Sequence, residues 1–265
     1  MSGDGGRSLG QFGAGCAVLI MASALMPVTS HYPVEKSTRL EVRFKAVPAK
    51  DLIPIEKADT KRVYAKARES VVTVLLQADG KDKSQGSGAI IGRDALGAVY
   101  VLTNKHVVYH SVRKGEPGFK VKTWNGRSYD AELEFYSRKA DLAIMRVLKL
   151  PGEAVIVRRD AKTSLEVGDP VFSLGTPAGM EQTLTAGIVS ALRPEYIQTD
   201  ATVTGGSSGS PLLDARGWLC GVITRSHKVK DYSFAIYGDS VVGLMREREA
   251  LKGLAAVDPA PSLSP

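Results

Sequence analysis

Three short segments carry residue types that together perform nucleophilic chemistry. In Val101-Leu102-Thr103-Asn104-Lys105-His106-Val107-Val108 a β-branched run leads into a histidine. In Lys139-Ala140-Asp141-Leu142-Ala143-Ile144 an aspartate opens an apolar run, and in Gly205-Gly206-Ser207-Ser208-Gly209-Ser210-Pro211 a serine sits in a glycine-rich turn. A serine hydroxyl is a poor nucleophile until a neighbouring base takes its proton. A neutral imidazole does this near neutral pH, and a carboxylate fixes its tautomer and stabilises the imidazolium. Glycines ahead of the serine let consecutive backbone N–H groups point at one spot, where an oxyanion would develop.

Each residue also has a simpler reading. His106 could be a surface histidine at a helix start, Asp141 a strand-edge cap, and Gly205 with Gly206 an ordinary turn. These readings fit the residues singly and do not explain their company. Other chemistries fare worse. His110 follows His106 at a spacing that can bind zinc on a helix, but the zincin motif needs a glutamate where Val107 stands. Cys16 and Cys220 are too few for a disulfide scaffold or a four-thiolate zinc site. Cys220, in the apolar run Trp218–Ile223, reads as a buried inert thiol. No metal and no cofactor are expected. Asp200 reads as a structural hydrogen-bonding residue. The loop Arg225-Ser226-His227-Lys228-Val229-Lys230 reads as a solvated charge run, with a preference for acidic substrate side chains as the sharper alternative.

The elements that must position these groups are mostly strands. The segments 70–77, 86–91, 98–103, 119–124, 130–136, 141–147, 170–174, 182–192, 209–213, 217–224 and 232–236 are β-branched or alternating, with turn residues between them. Many short strands without intervening helices predict an all-β fold of antiparallel barrels or a sandwich. Helical patterns flank this body at 57–69 and 239–254, the second with Asp239 or Ser240 as N-cap. Leu40, Val42 and Phe44 alternate within 34–54 and predict an extra strand or an extended arm. With 265 residues, 43% hydrophobic and 24% charged, the chain is long enough for a real core and is not disordered as a whole. The net charge is +7, but the basic residues are scattered, so no nucleic-acid partner is expected.

The N-terminus has its own composition. Phe12–Met26 is an apolar run without charge, shorter than the roughly 20 residues of a comfortable membrane span and matching the apolar region of a secretory signal peptide. Residues 1–30 are therefore a signal peptide or a membrane anchor, with residues 12–26 as the tether in the second case.

The sequence resembles the trypsin-like serine peptidases of the HtrA/Deg type. The likeness runs from about Arg62 to Met245 and keeps the family order, His before Asp before Ser. Besides the three motifs it includes Ser70-Val71-Val72, Gly86-Ser87-Gly88, Leu174-Gly175-Thr176-Pro177-Ala178-Gly179, Thr185-Ala186-Gly187-Ile188-Val189-Ser190 and Gln198-Thr199-Asp200-Ala201. The resemblance implies an all-β, chymotrypsin-like fold of two antiparallel β-barrels with the active site between them, a short N-terminal helix and a C-terminal helix. It implies His106 as base, Asp141 as its orienter and Ser208 as nucleophile. Gly206, Ser207 and Ser208 would supply the oxyanion hole, through the N–H groups of Gly206 and Ser208 above all. Thr202, Val203, Gly205, Val222, Ile223 and Thr224 would frame the substrate pocket.

Departures sharpen the expectation. The nucleophile turn and Thr103-Asn104-Lys105-His106-Val107-Val108 are closer to the bacterial glutamyl endopeptidases, yet Ile223 stands where those enzymes place a histidine. Thr202 replaces the aspartate that trypsin-like specificity requires, and Ser207 is no aspartate that could serve a zymogen switch. About twenty residues follow Met245, too few for the PDZ domain usual in the HtrA type. The expected organisation is a signal or anchor at 1–30, an extension at 31–56, a protease domain at 57–254 and a disordered tail at 255–265. The expected function is an extracytoplasmic, periplasmic or secreted serine endopeptidase acting on proteins or peptides in quality control or processing. A non-catalytic chaperone or peptide-binding module on the same fold is the alternative. Family resemblance makes a trimer the oligomer to test.

Overall fold

Two short strands, Glu41–Val42 (β1) and Phe44–Lys45 (β2), open the chain as described by a computed structural model, which covers residues 40–46, 59–78, 81–113, 118–226 and 232–257. All of these fall in one unit, Thr38–Pro265. The unit Met1–Ser37, with Cys16 and the apolar run 12–26, lies outside the described residues, as do His227, Lys228, Lys230 and the tail from 258. Helix Thr60–Ala67 (α1) begins at Asp59, whose carboxylate accepts the Arg62 N–H at 3.1 Å, and ends in a 3-10 turn, Arg68–Ser70.

The first barrel comprises Val71–Ala78 (β3), Lys81–Arg93 (β4), Ala98–Thr103 (β5), Gly118–Lys122 (β6), Ser128–Tyr136 (β7) and Ala143–Leu148 (β8), with helix Lys105–Arg113 (α2) between β5 and β6. These strands pair antiparallel in the order β4-β3-β6-β7-β8-β5, and a β4–β5 pairing closes the ring. After Val157–Arg158 (β9) and Ala161–Ser164 (α3) comes the second barrel. It is built from Pro170–Gly175 (β10), Thr183–Leu192 (β11), Tyr196–Thr199 (β12), Pro211–Asp214 (β13), Leu219–Ser226 (β14) and Ser233–Tyr237 (β15). Its order is β13-β10-β11-β12-β15-β14, closed by β13–β14. Helix Asp239–Val257 (α4) follows. The expected all-β, double-barrel architecture with a helix at each flank is the one observed.

Strand periodicity explains how such a chain makes three cores. Successive side chains leave opposite faces of a strand, and β5 is buried along its whole length. Val99 and Val101 enter the core of the first barrel, while Ala98, Tyr100 and Leu102 enter a core shared with Phe172, Leu174, Leu213 and Val222 of the second. The second barrel has its own core around Val171, Val189, Ile197, Leu212 and Cys220. The shared core welds the barrels together and fixes the cleft between them. The Leu40, Val42 and Phe44 arm adds to it: β1 pairs with β4 of the first barrel, and β2 runs parallel to β9, which pairs with β14 of the second.

Two differences from sequence expectation stand out. Helices α2 and α3 and strands β9 and β12 stand where no separate element was expected. The strands are short and form by pairing, β9 with β2 and β14 and β12 with β11 and β15, while each helix occupies a connection between strands. Strand β4 begins well before residue 86, because Ser84 and Gln85 pair with Leu76 and Leu75 of β3.

Candidate active site

The β5 strand ends at Thr103, and the chain turns at Asn104 into α2, so His106 stands in the first turn of that helix. Asp141 lies at the bend before β8, and Ser208 in the turn before β13. The structure brings His106 and Asp141 into direct contact. One carboxylate oxygen of Asp141 lies 2.6 Å from His106 Nδ1, and the other accepts the His106 backbone N–H at 2.9 Å. The Asn104 amide donates to the Asp141 carbonyl at 2.9 Å, and the Thr224 hydroxyl donates to the Asp141 carboxylate at 2.7 Å. This grip orients the acid and leaves the imidazole half exposed on its other side, 49% by side chain.

Burial alone would raise the Asp141 pKa. The hydrogen bonds from the His106 ring, the Thr224 hydroxyl and the His106 N–H outweigh that cost, and the carboxyl is held below its ordinary value. Asp141 therefore stays ionised at neutral pH, as an imidazole orienter must.

The Ser208 hydroxyl hydrogen-bonds to the Thr224 carbonyl at 3.4 Å and not to the imidazole. Catalytic hydrogen bonds are commonly long in unliganded sites and tighten with substrate. Thr224 thus touches both the nucleophile, through its carbonyl, and the orienting acid, through its hydroxyl. Sequence reasoning placed Thr224 in the substrate pocket and missed this second task. A hydroxyl residue two positions past Val222, on the strand beside the nucleophile turn, was the available signal.

The nucleophile turn is held on both sides. Within it, Ser207 donates its N–H to the Thr204 carbonyl at 3.0 Å and Ser210 to the Ser207 carbonyl at 2.9 Å, while Gly209 donates to Ile223 at 2.8 Å. Ser207, expected among the oxyanion donors, is thereby corrected: its N–H is engaged by the Thr204 carbonyl. The N–H groups of Gly206 and Ser208 are outside these bonds. Gly206 has φ +94°, and a Cβ there would lie 2.5 Å from the Thr176 carbonyl oxygen, so only glycine fits.

The expected pocket residues divide. Thr202 and Gly205 are exposed beside the turn. Val203, Val222 and Ile223 are not available as a lining: at 9%, 0% and 1% exposure their side chains belong to the cores. Barrel packing takes up these side chains. Arg225 is exposed, with its guanidinium carbon 4.5 Å from the Tyr196 ring centroid and 5.6 Å from that of Phe234. Asp200 accepts the Ile188 N–H at 2.7 Å, a structural bond. Among the described residues no cluster suited to a metal ion occurs, and no helix is long and apolar enough to cross a membrane.

Comparison with known proteins places this arrangement. The model of the trypsin-like peptidase domain matches residues 86–222. A probable periplasmic DegP-like serine endoprotease of Hahella chejuensis is 37% identical over 188 residues, 66% of this chain and 37% of that one. Serine protease HTRA1A of Danio rerio is 32% identical over 176 residues, 62% of this chain and 34% of that one. The chain thus spans little more than a third of the length of either relative. Among solved structures, the serine endoprotease from Yersinia pestis superposes with a TM-score of 0.62 at 28% identity, covering 74% of this chain and 67% of that one.

Proposed function

Since the chain belongs to the trypsin-like peptidase family, with relatives of the HtrA type, we propose that it is a serine endopeptidase in which Ser208 attacks the scissile carbonyl. His106 takes the proton from Ser208, and the N–H groups of Gly206 and Ser208 receive the developing oxyanion. The acyl-enzyme forms as the amine leaves with a proton from His106, and water then releases the acid product by the reverse use of the same base. The observation that carries this reading is the 2.6 Å contact of His106 with an Asp141 carboxylate that is kept ionised by its partners. Asp141 holds the tautomer that leaves Nε2 free to serve as the base.

The substrates are unfolded or exposed segments of proteins outside the cytoplasm, a reading supported by the DegP-like relative and by the apolar N-terminal run. Ahead of the scissile bond, Thr202 and Gly205 offer no counter-ion and the exposed Arg225 repels a second cation, so lysine and arginine are disfavoured. Small uncharged side chains are accepted broadly, because the exposed Thr202 and Gly205 carry no charge and, with Val203, Val222 and Ile223 taken up by the cores, no apolar wall selects among them. A second reading, acidic side chains, is favoured by the exposed Arg225 guanidinium held against two rings. Cleavage mapping on a denatured protein separates the two: cuts after Val, Ile, Ala or Leu support the first, and cuts after Glu or Asp that disappear in Arg225→Ala support the second. Cuts after Lys or Arg overturn both. A fluorophosphonate probe tests the mechanism itself and should label Ser208. Labelling at Ser207 would overturn the assignment, and absence of labelling together with peptide binding would establish the non-catalytic alternative.

A further inference from the structure

Ser87 belongs to the first barrel, yet all of its polar groups are committed to the segments that build the site. Its N–H donates to the Ser208 carbonyl at 2.7 Å, and its carbonyl accepts from the Thr103 hydroxyl, at the strand end leading to His106, at 2.8 Å. Its hydroxyl donates to the Gly206 carbonyl at 2.9 Å and accepts the Thr176 N–H at 3.0 Å. The side chain is fully buried. A serine hydroxyl can satisfy itself on nearby backbone of its own segment. This one spans from the first barrel to two loops of the second.

The consequence falls on Gly206. The two carbonyls flanking its Cα are both pinned, Gly205 to the Ala178 N–H at 2.7 Å and Gly206 to the Ser87 hydroxyl. A trans peptide points its C=O and N–H in opposite directions, so fixing the Gly205 oxygen on Ala178 turns the Gly206 N–H the other way. Glycine at positive φ rotates at little cost, and a turn containing Gly205 and Gly206 could let either peptide swing. Ala178 holds one peptide and Ser87 the next. Ala178 itself stands at φ 49°, ψ 30°, a left-handed conformation unfavourable for a non-glycine residue and kept by its surroundings.

We infer that Ser87 is a positioning residue: its hydroxyl holds the Gly205–Ser208 turn so that the N–H groups of Gly206 and Ser208 converge, and docking of the first barrel thereby sets the oxyanion hole built by the second. This rests on the serine-peptidase reading above. Removing the hydroxyl leaves the Gly206 carbonyl and the Thr176 N–H without their partner, and the turn relaxes. The loss falls on transition-state stabilisation and not on ground-state binding.

The experiment compares wild type, Ser87→Ala and Ser208→Ala on an internally quenched peptide cleaved by wild type, with folded protein quantified by thermal melting. The expected result for Ser87→Ala is a fall in kcat of roughly 10- to 100-fold, below the 10²–10³ of losing an oxyanion donor outright, with KM within about threefold of wild type. Fluorophosphonate labelling should slow in parallel. A role confined to stability would lower the melting temperature and leave kcat per folded molecule alone. Wild-type kcat, or a loss confined to KM, overturns the inference while the peptidase reading stands. A wild type that neither hydrolyses peptides nor takes the probe overturns the peptidase reading, and the inference with it. If Ser87→Ala does not fold, Ser87→Cys, which keeps a weak donor on the same Cβ, is read by the same criteria: lowered kcat at unchanged KM supports the inference, and wild-type kcat overturns it.

Discussion

His106, Asp141 and Ser208 act as a unit, so removing any one of them should cost about as much as removing the rest. Ser208→Ala should lower turnover by roughly 10⁴ to 10⁶ with melting behaviour unchanged, His106→Ala by as much with some loss of stability because Asp141 loses its ring partner, and Asp141→Asn by about 10⁴, because the wrong imidazole tautomer is then favoured. Steady-state hydrolysis by the three variants checks this, and near-wild-type turnover in any of them overturns its assignment. Asp141 also couples to stability. Its pKa is lowered in the folded protein, so its ionised form contributes stability that is present above the ordinary aspartate range of about pH 4 and is lost as pH falls through the folded value. Asparagine has no such proton to bind. The stability advantage of wild type over Asp141→Asn, measured by urea melts, should therefore shrink from pH 7 to pH 3, and an advantage independent of pH contradicts the linkage. Cys220 needs no such test of chemistry: it is buried and free, with its thiol pushed well above the ordinary range by burial.

Elements were legible in the sequence where a single rule governs them. The strand before His106 announces itself by a β-branched run and the one after Asp141 by an apolar run, and a helix, Thr60–Ala67, stands within the helical pattern of 57–69. The roles of Ser87 and Thr224 were not legible, because their partners, Gly206 and Asp141, are distant in sequence and come close only when the barrels dock. Val222 and Ile223 misled for the opposite reason: in sequence an apolar pocket wall and a barrel core look alike. Helix α4 shows the same limit. Glu247 accepts the Ser137 hydroxyl at 2.9 Å and the Arg138 N–H at 3.1 Å, and that hydroxyl in turn accepts the N–H groups of Lys139 and Ala140 at 3.0 Å each. The helix therefore braces the bend that carries Asp141, a contact between residues more than a hundred positions apart. Glu247→Ala strands a buried hydroxyl and should cost about 1–3 kcal/mol by denaturant melting. Glu247→Gln, which keeps one acceptor, should recover part of it, and equal loss in both variants speaks against the bracing.

Cooperation across the whole unit follows from the core shared by both barrels. If each barrel were held only by its own core, heat could unfold one and leave the other. Leu102 from the first barrel packs in one cluster with Leu174, Leu213 and Val222 from the second, and the β1–β2 arm is paired to both sides. Losing one barrel would strip apolar cover from the other at about 25 cal/mol per Å² of newly exposed surface, so the two should unfold together. Leu102→Ala tests this at a position with no exposure. Deleting a buried leucine side chain costs about 2–5 kcal/mol, depending on how far the cavity collapses. For a domain of this size each kcal/mol moves the melting temperature by about 2–4 °C, so a drop on the order of 4–20 °C is expected. The shape of the transition matters as much as its midpoint. Calorimetry and near-ultraviolet circular dichroism should give one coincident transition in wild type and in Leu102→Ala. Two resolved transitions in wild type would show that the barrels are thermodynamically separate, and would remove the physical basis for a cleft whose geometry is set by their docking.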